Sequence, residues 1–182
     1  MIRSPRPAAR VRLEIPSVKR ELEFLERVRA SRKLHGSWLQ APHTAPQFRA
    51  FVARSRDERF ASFFVCTAQS SELAGVVNLN EIVRGLFQSA YLGYYAFEPF
   101  AGAGYMSEGL GLVLDEAFGR LDLHRLEANV QPGNTSSIRL VSGLGFRLEG
   151  RSPRYLKIAG RWRDHERWAI LRDEWPKKRS VR

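Results

Sequence analysis

Cysteine is almost absent from this chain of 182 residues: Cys66 stands alone. One thiol excludes an intrachain disulfide framework, and its apolar surroundings, ASFFVCTAQ, read as a buried side chain in a reducing compartment. Long apolar runs are missing too. No stretch approaches the ~18 residues needed to cross a bilayer, and the basic start, MIRSPRPAAR, is not followed by the apolar core of a secretory signal. A cytoplasmic location without membrane partners is the expectation. The four His are scattered at no metal-ligand spacing, so no metal is expected. Neither G-x-S-x-G nor G-x-x-x-x-G-K-[ST] occurs, which excludes a hydrolase nucleophile elbow and a P-loop.

What is abundant is positive charge, a formal +11, and it is uneven. Residues 1–33 carry +6 and residues 172–182 carry +3, while residues 34–171 hold only +2. Solvated tails explain this pattern; so does attraction to a polyanion such as ribosomal RNA, or to a polyanionic ligand. The organisation expected is a basic, disordered segment at 1–10, one domain over 11–174 and a basic tail at 175–182.

Hydrophobic periodicity orders that domain. A short strand is predicted at 11–15 and a helix at 17–33, with Ser17 as N-cap and Val18, Leu22, Leu25 and Val28 on its buried face. A loop at 35–45 leads to a helix at 46–56 that starts on Pro46. Strands follow at 60–67, 73–80 and 91–97, with a turn at 69–72. A glycine-rich loop, PFAGAGYMSEG, opens a helix whose apolar face includes Leu110, Val113, Leu114, Ala117, Phe118 and Leu121. Residues 125–130, RLEANV, alternate with period 2; a short helix at 134–142 stops at Gly143 or Gly145. Two strand-like runs, 146–158 and 162–171, turn at Ala159–Gly160. The sum is a mixed, layered α/β fold.

The glycine loop is chemically suggestive. Gly102 and Gly104 let backbone approach an anion, and the first-turn N–H groups of the following helix favour a phosphate. Asn134 and Ser137 form N-x-x-S at the next helix start, where Asn is a good N-cap.

Taken together, GYYAFEPFAGAGYMSEGL, HRLEANVQPGNTSSIRLVSGLGFRLEG and the closing YLKIAGRWRDHERWAIL resemble the acetyl-CoA core of the GNAT acetyltransferases. They are most similar to the branch of the RimJ and RimL ribosomal-protein N-terminal acetyltransferases. The resemblance is continuous over about residues 75–171, and LHGSWLQAP falls at the family's substrate-side loop. It implies a central, mostly antiparallel twisted sheet, splayed at the acetyl-CoA site and flanked by helices.

The resemblance also implies roles. Acetyl-CoA would be held by Ala96, Phe97, Gly102, Ala103, Gly104, Tyr105, Met106, Ser107, Asn134 and Ser137. The strand Tyr94–Phe97 would align the pantetheine arm, and a freed backbone donor would polarise the thioester. The loop's usual Arg or Gln is replaced by Ala101, so that contribution is absent. Val141 stands where many relatives have a tyrosine that protonates the departing thiolate; if a side chain does so here Ser137 inherits the task by position, and otherwise a water suffices. Leu156 occupies a position where some relatives place a glutamate base. Glu127, Glu108 and Glu149 remain as bases, of which Glu127 is the candidate if its face lines the cleft; a salt bridge to an arginine is the favoured explanation of it. His165 reads as exposed or structural. Asn78, Asn80 and Tyr94 are candidates to hydrogen-bond the acceptor, or merely to finish strand ends.

The expected function is N-acetylation by acetyl-CoA, with the α-amino group of a protein N-terminus as acceptor and ribosome association as an added expectation. A small amine is the alternative acceptor. A reading of another class is a catalytically silent fold that docks on RNA through its basic ends. Monomer and homodimer stay equally open.

Overall fold

A computed structural model describes residues 9–175. The tail expectations for 1–8 and 176–182 lie outside the described residues. The elements are β1 (Val11–Glu14), a 3-10 turn (Val18–Arg20), α1 (Glu21–Ala30), α2 (Arg32–His35), α3 (Ala45–Arg54), β2 (Ala61–Thr67), β3 (Leu73–Val83) and β4 (Ser89–Ala96). They continue as α4 (Tyr105–Phe118), β5 (Arg125–Val130), α5 (Thr135–Gly143), β6 (Arg147–Ile158) and β7 (Arg161–Leu171).

The strands form one sheet of seven in the order β1-β2-β3-β4-β5-β7-β6. Every neighbouring pair is antiparallel except β4 and β5. That parallel pair requires a crossover, and the glycine loop with α4 supplies it. Pairing of β4 with β5 runs from Ser89–Arg125 to Leu92–Ala128 and then stops. Beyond it, the ends of the two strands part while β4 stays paired with β3 up to Ala96–Gly75. This is the expected splay.

Two cores sandwich the sheet. Phe63, Val65, Leu79, Leu110, Leu114, Leu126 and Ile170 pack on the α4 side. Phe24, Phe48, Phe64 and Phe97 pack beneath α1 and α3. β2 is buried on both faces, so ASFFVCT reads as an unbroken apolar run instead of alternating. Cys66 is buried, as expected.

The α1 face expected from sequence is corrected. Leu22 is 78% exposed and Val18 56%, while Phe24 and Val28 are buried. The 3-10 turn at 18–20 resets the helical phase, and Phe24 turns inward to meet Phe48 with ring centroids 4.6 Å apart. The predicted helix also breaks at Ser31, whose buried hydroxyl accepts from the Glu98 amide at 2.9 Å. Trp175, assigned to the tail, packs on α4: its Nε1 donates to Asp115 Oδ1 at 2.9 Å.

Candidate functional site

The site begins at the glycine loop. Gly102 and Gly104 hold left-handed backbone, φ 75° and 86°, which L side chains seldom adopt. Gly104 caps α4 with no side-chain cap bond among the described residues, so its first-turn N–H groups are left to meet solvent or a ligand. Glu108 in that first turn would repel an anion, but Arg10 neutralises it with ion-paired contacts. The Arg10 amide donates to Glu108 Oε2 at 3.2 Å, and its Nη1 donates to the Ala103 carbonyl at 3.2 Å. The guanidinium also lies 5.0 Å over the Tyr105 ring. A basic side chain therefore sits on a loop whose own sequence has none.

A cavity of about 540 Å³ opens beside this loop. Gly102, Gly104, Met106 and Ser107 line one side; Asn134, Ser137 and Arg139 of the α5 start line another. Its inner end is the parted end of β4, Tyr94 to Ala96. His35 fixes that end, since its Nε2 lies 2.9 Å from the Ala96 carbonyl. A carbonyl only accepts, so Nε2 carries the proton, and burial pushes the imidazole pKa down, against the pull of that hydrogen bond.

A second cavity of about 660 Å³ shares Leu39, Tyr94, Tyr95, Asn134 and Ser137 with the first. At the junction Tyr94 Oη and Ser137 Oγ are 2.5 Å apart. Burial pushes the Tyr94 phenol up to about 12, partly offset by that hydrogen bond, so it stays protonated near neutrality. Asn134 Oδ1 accepts from the Ser137 amide at 3.1 Å, the capping role anticipated for it. The Trp38 carbonyl accepts from Gln131 Nε2 at 3.1 Å, which pins the loop before α3 to the turn after β5.

Polar groups converge in the second cavity. Asn78 Oδ1 and Asn129 Oδ1 are buried without a hydrogen-bond partner among the described residues. Unpaired buried acceptors are costly, and they are expected to meet a donor. His165, 2% exposed, lies in the same wall with its Nδ1 3.0 Å from the Arg163 carbonyl. That carbonyl makes Nδ1 the donor and leaves Nε2 as a free lone pair in the neutral ring. Burial lowers the His165 pKa more than its hydrogen bond and Asp164 raise it.

The model of the acetyltransferase (GNAT) domain matches residues 10–147. The chain belongs to the GNAT acetyltransferase family. The Bacillus subtilis protein named "Probable N-acetyltransferase YjcK" is 42% identical over 64% of this chain and 64% of its own length. The Escherichia coli [ribosomal protein uS5]-alanine N-acetyltransferase is 38% identical over 57% of this chain and 54% of its own length. The matches thus span between about half and two thirds of those relatives. Mycobacterium smegmatis RimJ in complex with CoA-disulfide superposes with a TM-score of 0.85 at 28% identity, covering 94% of this chain and 87% of that one.

Within this GNAT frame, the expected residues separate into two groups. Ala96, Gly102, Gly104, Met106, Ser107, Asn134 and Ser137 line the first cavity; Asn78, Asn80 and Tyr94 line the second. Phe97, Ala103 and Tyr105 line neither. Phe97 is fully buried and its amide donates to the Ala74 carbonyl at 2.8 Å. The Ala103 carbonyl is engaged by Arg10, and Tyr105 packs edge-on against Phe100. Glu127 lies on the cleft side of the sheet, paired across from Tyr91, yet outside both linings. Its carboxylate accepts from Arg125 Nε at 2.8 Å, the salt bridge weighed for it from sequence. Glu108 and Glu149 are also held in ion pairs.

Sequence reasoning missed four contributors. Arg10 was grouped with the tail. His35 lay in a segment read as loop. His165 was read as exposed or structural, and it is buried in the wall of the second cavity. Asn129 was overlooked although the alternation that aims Glu127 at the cleft aims Asn129 there too.

Proposed function

We propose that this chain is an acetyl-CoA-dependent N-acetyltransferase that acts on the α-amino group of a polypeptide N-terminus; the E. coli relative is named a [ribosomal protein uS5]-alanine N-acetyltransferase. The observation that carries the reading is the meeting of two cavities at Tyr94 and Ser137, where β4 and β5 part. The first cavity fits CoA. Its uncapped helix start suits a pyrophosphate, Arg10 and Arg139 supply positive charge, and the parted end of β4 borders it.

Bound there, acetyl-CoA supplies an acetyl group already activated as a thioester. In the transfer one N–C bond forms and one C–S bond breaks, while a proton lost at nitrogen is balanced by one gained at sulfur. Ser137 offers its hydroxyl to the sulfur, and Tyr94, held neutral, donates to Ser137. On the acceptor side, Asn78 and Asn129 oxygens receive amine N–H groups, and His165 Nε2 accepts the proton.

The base strength favours an α-amine. Its pKa is ~8 against ~10.4 for a lysine side chain, and a buried, weakened imidazole suits the easier deprotonation. A polyamine would call for several carboxylates, whereas Glu81 is the one carboxylate lining the second cavity among the described residues. The test is thiol release from acetyl-CoA with N-terminal peptides, N-blocked lysine peptides, polyamines and simple amines, with products mapped by mass spectrometry. Acetyl groups on peptide α-amines support the reading; transfer confined to lysines or small amines overturns it.

A further inference from the structure

The β6–β7 hairpin walls the acceptor cavity with Tyr155, Leu156, Ile158 and His165. Its charge is lopsided. From Arg151 to Arg163 it carries Arg151, Arg154, Lys157, Arg161 and Arg163 and no carboxylate; Asp164 and Glu166 come next. Glu166 is taken by Arg151, and Asp164 accepts from the Arg154 amide at 2.7 Å. Arg154, Lys157, Arg161 and Arg163 make no ion pair among the described residues.

Register brings two of these cations to the cavity rim. Leu156 pairs with Arg163 and Ile158 with Arg161. Residues directly opposite in an antiparallel pair share a face, so both arginines stand beside the cavity-lining side chains. Arg163 adds an independent sign: its Nε is buried with no acceptor among the described residues. A guanidinium N–H left without an acceptor is a cost that an incoming carboxylate would remove.

We infer that this hairpin is a docking strip for acidic residues just behind the acceptor's N-terminus, so that preferred acceptors carry Asp or Glu near their start. The inference rests on the α-amine reading above and narrows its substrate class. An extended peptide advances ~3.3 Å per residue, so with its amine at Tyr94 and Ser137 its next few residues leave past Leu156 and Ile158. The polarity fits: the Asn78 and Asn129 carboxamide oxygens beside Tyr94 meet the ammonium, and the arginines meet the following carboxylates.

The experiment compares short peptides with one common N-terminal residue and Glu, Gln or Lys at positions three to six. Expected is a kcat/KM order of Glu over Gln over Lys, with about a tenfold span between the ends at low salt that shrinks as salt screens it. An R161E/R163E variant should reverse the order with acetyl-CoA affinity unchanged. The wild-type peptide and salt comparisons stand without that variant if it fails to fold. Equal kcat/KM for the three peptides at low salt overturns the inference. So does a strip that binds a short RNA while showing no peptide preference. If peptides are not acetylated at all but small amines are, the α-amine reading fails and the docking strip fails with it; acetylation of all peptides alike defeats only the strip.

Discussion

Tyr94 Oη and Ser137 Oγ meet at 2.5 Å, one side chain from β4 and the other from the first turn of α5. Val141, where many relatives have a tyrosine, is fully buried in the core and has no hydroxyl to offer. The phenol near this serine comes instead from the strand, and in the proposed mechanism it acts through the serine. Two groups in one relay should not lose activity additively. Ser137→Ala and Tyr94→Phe are each expected to lower kcat about ten- to a hundredfold, or ~1.4–2.7 kcal/mol of barrier. The double variant should be little worse than either single one. Steady-state thiol release checks this, and multiplying losses would show that the two act separately. Because Asn134, and not Ser137, caps α5, Ser137→Ala should shift Tm by only ~2–4 °C.

Arg10 makes a second prediction. It reaches the loop from the chain before β1, 98 residues away from its partner Glu108. If it supplies the charge that Ala101 cannot, Arg10→Ala should weaken acetyl-CoA binding about tenfold by calorimetry. Acetyl-pantetheine, which lacks the pyrophosphate, should be bound or used equally by both proteins. Equal losses for the two donors would mean that Arg10 only supports the loop. Gly104→Glu should be more severe. A Cβ there would lie 2.8 Å from Arg10 Nη2, φ is left-handed, and the new charge faces the phosphate site. Unchanged CoA affinity in a folded Gly104→Glu variant would remove the site from this loop.

The sheet was largely legible because its signals are local. RLEANV alternates cleanly, and β5 spans Arg125–Val130 as read. Pro46 and Thr44 announce α3, where Thr44 Oγ1 accepts from the Gln47 amide. The α1 face was not legible, since nothing in SVKREL announces that a 3-10 turn will precede the helix and rotate Leu22 outward. The first cavity was legible through its positive-φ glycines. The second was not, because it is assembled by register: Asn129 faces Arg167 and Leu156 faces Arg163 only once β5, β7 and β6 have paired. Glu127 likewise pairs with Arg125, and that partner could not be chosen from sequence among so many arginines.

His165 yields a pH prediction. Its pKa lies below the usual ~6.5, with burial the largest cause. A neutral imidazole acts as base above its pKa and is lost as base below it. With saturating peptide and acetyl-CoA, kcat should therefore hold at neutral pH and fall on acidification below ~6.5. His165→Gln should lower kcat by about 10²- to 10⁴-fold, the usual range for a general base, and its profile should lack the acid limb. A variant that keeps that limb, or keeps the rate, assigns the base elsewhere.

His35 tests whether the end of β4 is held by a neutral ring. Burial depresses its pKa in the folded state, against the pull of the Ala96 hydrogen bond. Between the folded pKa and the unfolded value of ~6.5 the unfolded chain binds more protons. Its contribution to stability is therefore complete above ~6.5 and is lost as pH falls through the folded value. Thermal melts should show Tm dropping on acidification in this window. His35→Gln keeps an N–H for the Ala96 carbonyl but cannot titrate, so its Tm should decline less steeply over the same range. His165 is depressed in the same direction, so some slope should remain in the single variant and flatten further with His165→Gln added. Identical slopes for wild type and His35→Gln would show that His35 does not carry this linkage. Because the Ala96 carbonyl borders the CoA cavity, the same variant also reports on the site: His35→Ala, which removes the donor, should weaken CoA binding more than His35→Gln does.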